Sequence, residues 1–409
     1  MANAVLSGLR VVEGSAFVAA PLAGMTLAQQ GADVIRFDPL GGGLDYTRWP
    51  VTAAGDSLYW HGLNKGKRSI AVDIRGPRGR ELVAGLICAP GDGGGIFLTN
   101  FPASGWLDYA ALAARRRDLI MVNITGNADG GSEVDYTVNP ATGLPYITGS
   151  GGSAAPVNHV LPAWDLIAGS HAAVAVLAAE RHRRLTGEGQ YARLALSDIA
   201  FATMGHLGFI AEEQVNGSHR SAIGNELYGA FGGDFVTGDG VRIMIVAITR
   251  RMWRALVEAT GLAGAFDALA QRRGVDLDDE GDRFRVRADL RALLEEWCGG
   301  RSLRDIASRF DAAGVLWSRY RALAEALAED PRCSPRNPMF EQIEQPGIGA
   351  YLTPGSPMEF SAAPRRPPLR APALGEHTEE ILADVLGLGG GEIARLHDDG
   401  VVASGPTRL

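Results

Sequence analysis

The sequence predicts a doubly wound α/β fold for the first half of the chain. Three observations lead to this prediction. Short β-branched strands alternate with helical segments, the connections between them are short, and glycine or proline marks most of the boundaries. Alternation of this kind is typical of a parallel sheet whose crossover helices cover its faces.

The first strand–helix–strand unit shows the pattern. A strand is predicted at Leu9–Glu13, a helix at Pro21–Gln30 that ends at Gly31, and a second strand at Ala32–Phe37. The same pattern then continues along the chain. It predicts a strand at Arg68–Ile74, a helix at Pro77–Leu86, and strands at Gly95–Thr99, Leu119–Ile124 and Tyr191–Leu196.

Beyond about residue 225 the pattern changes to that of a smaller α+β domain. A hairpin is predicted around the turn at Thr237–Gly240. Helices are predicted at Arg251–Thr260, Arg285–Cys298 and Leu303–Ala313. The tail is rich in proline and glycine, and it ends in a helix at Thr378–Leu386 that Thr378 is expected to cap. The expected division is 1–200 for the first part of the large domain, 201–224 for a linker, 225–330 for the small domain and 331–409 for the return to the large domain.

Composition limits the class of protein. A chain of 409 residues with 46% hydrophobic and 21% charged residues is an ordinary soluble globular protein of about two domains. The net charge of −8 argues against nucleic acid as a partner, because a phosphate-binding surface needs a basic excess. Cys88, Cys298 and Cys333 have no metal-ligand spacing, and no signal peptide is predicted at the N-terminus. The apolar run Ala172–Ala179 is far too short for a membrane span. We therefore expect a cytoplasmic protein without a metal site.

Several common catalytic motifs are absent. The sequence contains no Walker A loop and no GxSxG elbow. The segment after the first strand, Gly14–Ala20, lacks the GxGxxG pattern of dinucleotide-binding folds. The chain is therefore not expected to be a nucleotide-dependent dehydrogenase.

The segment 158–165 joins a glycine-rich loop to a long apolar helix. Asp165 lies where the loop meets the first turn of this helix. Free backbone N–H groups and the positive end of the helix dipole stabilise an ionised carboxylate at such a position. Asp165 taken alone is also an ordinary helix cap, so the segment by itself leaves two interpretations. The rest of the chain favours a chemical role for Asp165.

A basic segment stands out in this acidic chain. Asn64, Lys65, Lys67 and Arg68 precede or begin a predicted strand, and Arg75, Arg78 and Arg80 follow it. One interpretation is a solvated surface, which is the usual meaning of a charge cluster. The other is a site for the phosphates of a small molecule, which Lys and Arg neutralise. The sequence leaves both open.

A second candidate for ligand binding follows the predicted strand at Gly95–Thr99. Asn100, Phe101 and Pro102 would lie at its carboxyl end, where open α/β sheets bind ligands. An amide beside an aromatic ring suits a purine or a pantetheine arm. The alternative is a turn with a packed Phe101.

Taken together, these segments resemble the class III CoA-transferase family, to which formyl-CoA transferase and α-methylacyl-CoA racemase belong. The resemblance covers nearly the whole chain. It rests on the order and spacing of Leu6–Glu13 with Ala20–Pro21, Gly31–Arg36, Leu63–Ile70, Asn100–Phe101, the loop before Asp165, Pro346–Gly349, Pro354–Pro357 and Leu374–Thr378.

The resemblance implies an interlocked homodimer. In this family the N- and C-terminal parts of the chain together build the large domain, and two ring-like chains pass through one another. It also implies that CoA binds to the large domain as part of the substrate, with no further cofactor. Carried over to this sequence, the expected CoA-binding residues are Val18, Ala19, Arg36, Asn64, Lys65, Lys67, Arg68, Asn100, Phe101 and Pro102.

The resemblance also implies the chemistry. The family nucleophile falls on Asp165, whose carboxylate would attack a thioester and pass through an anhydride and an aspartyl-CoA thioester. The stretches Glu13–Pro21 and Asn158–Asp165 are similar to a subgroup that moves CoA between the two carboxyl groups of mesaconate. Alternatives are an intermolecular transferase, a CoA-binding protein without catalysis and, less favoured, a racemase. A racemase needs a second acid/base group, and Val134 stands about where its histidine would be.

Further substrate contacts are expected from the second half of the site. His159, Tyr228 and Gly229 are candidates for holding the free carboxylate or polarising the thioester carbonyl. The intermediates hydrolyse readily, so a loop must exclude water. Thr148–Ser153 and Gly224–Gly229 are the two candidates for this lid.

Overall fold

The computed structural model describes residues 4–151 and 155–405, which form two compact units. The first unit contains 4–142, 160–216 and 331–405, and the second contains 143–151, 155–159 and 217–330. The expected first part of the large domain, 1–200, thus includes the segment around Gly143–His159, which groups with the second unit. Of the candidate lid Thr148–Ser153, residues 152 and 153 lie outside the described residues.

Strands and helices are numbered in chain order. The strands are β1 Arg10–Gly14, β2 Asp33–Asp38, β3 Arg68–Val72, β4 Ile96–Thr99, β5 Ile120–Thr125, β6 Gln190–Ala195, β7 Phe231–Val236, β8 Arg242–Ala247, β9 Leu316–Arg319, β10 Phe340–Gln345, β11 Gly349–Pro354 and β12 Val402–Ala403. The helices are α1 Ala19–Gln29, α2 Leu58–Leu63, α3 Pro77–Cys88, α4 Tyr109–Arg115, α5 Asp135–Ala141, α6 Leu144–Ile147, α7 Ala163–Thr186, α8 Leu196–His206, α9 Phe209–Asn216, α10 Arg250–Thr260, α11 Ala263–Arg273, α12 Glu280–Arg285, α13 Arg287–Gly299, α14 Leu303–Ala313, α15 Leu323–Glu329, α16 Thr378–Leu386 and α17 Gly390–Asp398. Short 3₁₀ turns occur at Leu44–Thr47, Gly105–Leu107 and Pro331–Cys333.

A seven-stranded sheet forms the centre of the first unit. Its strand order is β12-β3-β2-β1-β4-β5-β6. Strands β1 to β6 pair in parallel, and only the edge strand β12 runs antiparallel to its neighbour. The strand order reverses between β1 and β4, which makes the carboxyl ends of these two strands the place where open α/β sheets bind ligands. The prediction of a doubly wound parallel sheet is confirmed.

The tail of the chain completes the core of this unit. Val402 and Ala403 of β12 pair with Val72 and Ala71 of β3. Ile381 of α16 is buried in the same apolar cluster as residues of β1, β2 and β4. Residues from both ends of the sequence therefore build one hydrophobic core.

The helix predicted at Thr378–Leu386 is present as α16, but it does not close the chain, because α17 and β12 follow it. The prediction about its cap is also wrong. His377 occupies the N-cap position, and Thr378 is the first helical residue. The Thr378 hydroxyl donates to the Ala403 carbonyl at 2.8 Å and accepts from the Ala71 N–H at 3.3 Å. The Thr378 side chain ties α16 to the edge strand β12 and to its neighbour β3, so it does not cap the helix.

The second unit is built on the antiparallel sheet β7-β8-β9 and the helices that cover it. The hairpin of β7 and β8 and the helices α10 and α14 agree with the sequence prediction. The predicted helix Arg285–Cys298 corresponds to α13, which begins two residues later, and the short helix α12 before it was not predicted. The sequence analysis missed α11, β9 and, in the proline-rich tail of the first unit, the hairpin of β10 and β11. No helix formed by the described residues is long and apolar enough to cross a membrane.

Candidate active site

Asp165 is the third residue of α7 and lies in the first turn of this 24-residue helix. The helix begins after Pro162 and has no capping side chain of its own. A carboxylate from α5 supplies the cap, because Asp135 Oδ2 accepts from the N–H of Trp164 at 2.7 Å and from that of Asp165 at 3.2 Å. Asp135 is 1% exposed. The capping interpretation of Asp165 is therefore wrong, and its carboxylate is not used to close the helix.

The surroundings of Asp165 change its protonation. The pKa of the Asp165 carboxyl is raised to about 7, first by burial and then by the negative charge of Asp135, while Arg48 acts to lower it. A carboxylate with such a pKa is more basic, and hence a stronger nucleophile once ionised, than an ordinary surface aspartate. A raised pKa in a partly buried carboxyl is typical of a group with a chemical task.

Arg48 is the cation that acts on Asp165, and the sequence analysis missed it. Its guanidinium lies over two aromatic rings, 4.9 Å from the Phe17 centroid and 5.1 Å from the Tyr59 centroid. Phe17 has a left-handed backbone with φ of +66°, which is uncommon for a bulky residue. Arg48 follows the 3₁₀ turn Leu44–Thr47 in an irregular segment, so no periodic pattern could have identified it.

The start of α1 lies beside the first turns of α7. Gly169 makes this close packing possible, because a Cβ at this position would lie 2.8 Å from the Ala19 carbonyl oxygen. Val18 is the N-cap residue of α1 and Ala19 its first residue, and both are buried. The packing thus places the expected CoA contacts at Val18 and Ala19 on the helix that lies against the helix of Asp165.

Asn100 connects the two strand ends at the switch point of the sheet. Its Oδ1 accepts from the Ala16 N–H at 2.9 Å, and its Nδ2 donates to the Ala16 carbonyl at 2.7 Å. Phe101 is half-buried and packs edge-on against Phe37, with centroids 6.2 Å apart. Pro102 is exposed. Of the two interpretations of this segment, the turn with a packed Phe101 describes the observed contacts, and Asn100 fixes the loop after β1.

Part of the basic segment forms a buried ionic network. Lys67 Nζ lies 2.8 Å from Glu13 Oε1 and 2.9 Å from Asn64 Oδ1. Arg36 contacts Glu13 at 3.2 Å and Asp38 at 3.0 Å. The side chain of Lys67 is completely buried and that of Arg36 is 1% exposed. The contacts favour a structural role for the side chains of Arg36, Asn64 and Lys67 over direct binding of phosphates.

The remaining basic candidates also have partners within the protein. Lys65 donates to the Gly62 carbonyl at 2.9 Å, and burial lowers its pKa to about 8. Arg68 pairs with Asp33 at 2.6 Å and with Glu380 at 3.0 Å. The ion pairs of Arg68 hold α16 to the sheet, so its charge is already compensated.

The other expected substrate contacts belong to the second unit. Tyr228 is 47% exposed, and its ring lies 5.1 Å from that of Phe284. Gly229 has φ of +75°, and His159 is half-buried. Within the same unit the two candidate lids are joined, because the Gly224 N–H donates to the Gly149 carbonyl at 2.9 Å. Among residues 4–151 and 155–405 no cluster of three metal-binding side chains occurs.

Comparison with known proteins agrees with this architecture. The chain is 61% identical over 405 residues to the 2-methylfumaryl-CoA isomerase of Chloroflexus aurantiacus, with 99% of each chain covered. It is 28% identical to the succinate–glutarate CoA-transferase of Agrobacterium fabrum, over 93% of this chain and 95% of that one. A solved structure, a CaiB/BaiF family protein from Brucella suis, is 26% identical with a TM-score of 0.75, over 94% of this chain and all 100% of its own. The sequence pattern of CoA-transferase family III matches residues 6–378, and the chain belongs to this family.

Proposed function

We propose that the protein is an intramolecular CoA transferase that converts 2-methylfumaryl-CoA into 3-methylfumaryl-CoA. The observation that carries this proposal is the 61% identity to a 2-methylfumaryl-CoA isomerase over 99% of both chains. The environment of Asp165 supports it, because the reaction needs a basic, partly desolvated carboxylate. The substrate is an acyl-CoA, and the reaction uses no cofactor besides the CoA it transfers.

The chemistry proceeds through two intermediates on Asp165. Its carboxylate attacks the thioester carbonyl, forms a mixed anhydride and releases CoA as a thiolate. The thiolate then attacks the Asp165 carbonyl, which gives an aspartyl-CoA thioester and frees the acid as a dicarboxylate. The other carboxylate of the acid attacks this thioester, and the same two steps in reverse return CoA to the new carbonyl and restore the Asp165 carboxylate.

The geometry around Asp165 suits these steps. The cap from Asp135 holds the first turn of α7 and so fixes the position of the nucleophile. Arg48 provides a nearby positive charge when negative charge moves from Asp165 to the freed acid. For CoA, the binding site we propose lies where β1 and β4 end, with backbone contacts at Val18 and Ala19 and a loop held by Asn100.

An intermolecular CoA transferase is the second candidate. The 28% identity to a succinate–glutarate CoA-transferase favours it, since the same intermediates serve two different acids. A racemase would need a second acid/base group beside Asp165. The neighbouring group is the Asp135 carboxylate, which is buried and accepts hydrogen bonds from α7, so a racemase is not favoured. The substrate contacts expected of His159, Tyr228 and Gly229 stay predictions. For Tyr228, a Tyr228→Phe variant tests the prediction through the KM for the acyl-CoA.

A homodimer is part of the proposal. Apolar side chains are exposed along three consecutive helices of the first unit, α7, α8 and α9. They are Val174 at 64%, Leu185 at 71%, Phe201 at 45%, Leu207 at 64% and Val215 at 82%. A monomer rarely exposes so many large apolar groups on neighbouring helices, so a second copy of the chain is proposed to cover them. Light scattering should give twice the chain mass of 43.2 kDa.

An isotope experiment tests the proposed function. The enzyme is mixed with 2-methylfumaryl-CoA and an excess of labelled free mesaconate, and both isomers are analysed by mass spectrometry. Product without label means that the acid stays in the site, as proposed. Label in the product replaces this function by the intermolecular one, and absence of isomerisation refutes the substrate.

The covalent step needs a separate test. Hydroxylamine added during turnover should convert Asp165 into its hydroxamate and inactivate the enzyme, whereas hydroxylamine without substrate should not. An Asp165→Asn variant should lose turnover by a factor of at least about 10³, as expected when a nucleophile is removed. Wild-type turnover in this variant would refute the covalent mechanism.

A further inference from the structure

Arg48 has an unusual environment for an arginine. The guanidinium lies between the rings of Phe17 and Tyr59, at 4.9 Å and 5.1 Å from their centroids. Its backbone is fixed, because the Arg48 carbonyl accepts from the Ser57 hydroxyl at 2.6 Å. Within residues 4–151 and 155–405 its side chain has no ion pair and donates no hydrogen bond. Two aromatic rings thus hold the cation in place, and its five N–H donors remain available.

Arg48 and Asp165 lie in the same part of the first unit but form no salt bridge with each other. Phe17, whose ring lies under the Arg48 guanidinium, is two residues before Ala19, and the Ala19 carbonyl packs against Gly169, one turn after Asp165 in α7. The charge of Arg48 also acts on the Asp165 carboxyl, so the two groups are neighbours. Yet no Arg48 nitrogen lies within 4.0 Å of a carboxylate oxygen in the described part of the chain, which excludes a direct salt bridge. A positive and a negative group that lie near each other without a salt bridge are suited to bind a molecule that presents a carboxylate to the cation and a carbonyl to the nucleophile.

The support for Arg48 is itself rigid. The Phe17 N–H donates to Asp45 Oδ2 at 2.9 Å, which holds Phe17 in its left-handed conformation. Asp45 is 2% exposed and lies 3.7 Å from Arg36 of the buried network. The Tyr59 hydroxyl is buried and has no hydrogen-bond partner among the described residues. A strained backbone, a buried hydroxyl without a partner and a cation without a counter-ion occur together here, which is typical of a ligand site.

We propose that Arg48 binds the free carboxylate of the acyl group and retains the acid in the site while CoA is attached to Asp165. The inference rests on the proposed function. In the aspartyl-CoA intermediate Asp165 is neutral and the acid carries two carboxylates, so the local negative charge has moved from the protein to the acid. Arg48 then holds one carboxylate as a bidentate pair while the other attacks the thioester, which makes the transfer intramolecular.

Two substrates separate this role from a purely structural one. 2-Methylfumaryl-CoA carries a free carboxylate, whereas crotonyl-CoA does not. The initial rate of CoA thiol release, before hydroxylamine inactivates the enzyme, is measured with each substrate in the presence of hydroxylamine and against an enzyme-free blank. The measurement is made at about pH 9 so that Asp165 is ionised in every variant. Arg48→Gln and Arg48→Lys are compared with wild type, and Arg117→Gln serves as a control because Arg117 is exposed and forms no ion pair in the described residues.

With 2-methylfumaryl-CoA, Arg48→Gln should lower kcat/KM by about 10- to 100-fold, the usual effect of losing a charge-assisted hydrogen bond. With crotonyl-CoA, which has no free carboxylate for Arg48 to bind, the same variant should lose markedly less kcat/KM than with 2-methylfumaryl-CoA, whereas Arg117→Gln should stay within about twofold of wild type with either substrate. With 2-methylfumaryl-CoA, the kcat/KM of Arg48→Lys should lie between those of wild type and Arg48→Gln, because lysine keeps the charge and loses the planar guanidinium. An equal loss with both substrates, or no loss with either, would overturn the proposal.

Label exchange provides the second readout. The Arg48→Gln enzyme should incorporate labelled free mesaconate into its product, because the acid is no longer retained, and wild type should not. Absence of label in a variant that still isomerises would overturn retention by Arg48. If wild type itself incorporates label, the intramolecular function fails, but the comparison of the two substrates still decides whether Arg48 binds the carboxylate. If Arg48→Gln fails to fold, both experiments are made with Arg48→Lys.

Discussion

The buried carboxylate of Asp135 accepts a hydrogen bond from the backbone N–H of Asp165 at 3.2 Å. Two carboxylates thus lie together at the start of α7, and they have different tasks. Asp135 satisfies the helix N–H groups, and its negative charge helps to raise the pKa of the Asp165 carboxyl to about 7. Pairs of acidic groups in unlike environments are a common way to keep one of them basic.

The first prediction concerns the pH dependence of activity. Attack requires the ionised form of Asp165, whose pKa is about 7, so kcat/KM should fall about tenfold per pH unit below this value and level off above it. The measurement is kcat/KM for 2-methylfumaryl-CoA between about pH 5.5 and 9. A profile that stays flat down to the acid limit would contradict it.

A variant at Asp135 sharpens this prediction. Asp135→Asn keeps an acceptor oxygen for α7 but removes the negative charge, so the inflection of the profile should move to lower pH. Asp129→Asn is the matched control, because exposed Asp129 also accepts a backbone N–H, that of Gly131 at 2.8 Å. An inflection that moves equally in both variants, or in neither, would show that Asp135 does not set the pKa of Asp165.

The second prediction concerns the free energy of unfolding. Because the pKa of Asp165 is raised on folding, the folded state binds its proton more tightly, and stability is lost as pH rises from the unfolded value near 3.8 to about 7. Asp165→Asn removes this loss. The variant should be more stable than wild type by about 2 to 4 kcal/mol at about pH 8, and the difference should nearly vanish at about pH 4. Urea unfolding at both pH values measures it, and equal stability at the higher pH would contradict it.

The sequence was informative where structure depends on local pattern. The strand β1, the helix α1 with Gly31 after it and the helix α7 with Gly187 at its end follow from β-branched runs and from glycine at left-handed positions. The short helix α12 was missed, because its six residues include only one large apolar side chain, that of Phe284, and so show no apolar periodicity.

The sequence was least informative about contacts between distant segments. Glu13 and Arg36 are paired residues on β1 and β2, and Lys67 precedes β3, so their charges meet only after the sheet has formed. Locally, Lys67 belongs to a basic run that suits a phosphate site equally well. Likewise, Arg48 gains its significance from Phe17 and Tyr59, and its own segment has no motif. Partners determined by topology rather than by spacing cannot be read from a single chain.

The third prediction concerns the contact between α1 and α7. Replacing a helical glycine by alanine usually stabilises, but a Cβ on Gly169 would lie 2.8 Å from the Ala19 carbonyl oxygen and 3.0 Å from the Leu22 side chain. Gly169→Ala should therefore destabilise by about 1 to 3 kcal/mol and lower activity, because it separates Val18 and Ala19 from the helix of Asp165.

Gly264 provides the control for this prediction. It lies near the start of α11, and a Cβ there would meet nothing within 4 Å. Gly264→Ala should stabilise by about 0.5 to 1 kcal/mol without a change in activity. Thermal unfolding of both variants, with kcat/KM, is the measurement. A Gly169→Ala enzyme as stable and active as wild type would show that the two helices adjust at little cost.

The fourth prediction concerns Lys67, which distinguishes a structural from a ligand-binding role of the basic segment. Its ammonium contacts Glu13, the Pro21 carbonyl and Asn64 within 2.9 Å, and burial lowers its pKa to about 8. Lys67→Met leaves the Glu13 carboxylate in the interior with one cation fewer. It should lower the free energy of unfolding by about 3 to 5 kcal/mol, as expected when one partner of a buried pair is removed.

The same variant decides between the two roles through its kinetics. If Lys67 is structural, the folded fraction of Lys67→Met should keep a KM for the acyl-CoA within about twofold of wild type, and adding Glu13→Gln should restore part of the lost stability. If Lys67 instead binds a phosphate of CoA, the variant should remain stable. Its KM for the acyl-CoA should then rise and depend less on the salt concentration. Urea unfolding and KM at two ionic strengths separate these outcomes.

A variant at Gly24 tests the same buried network from the side of Glu13. A Cβ on Gly24 would lie only 1.7 Å from Glu13 Oε2, so Gly24→Ala should also lower the free energy of unfolding and leave the KM for the acyl-CoA unchanged.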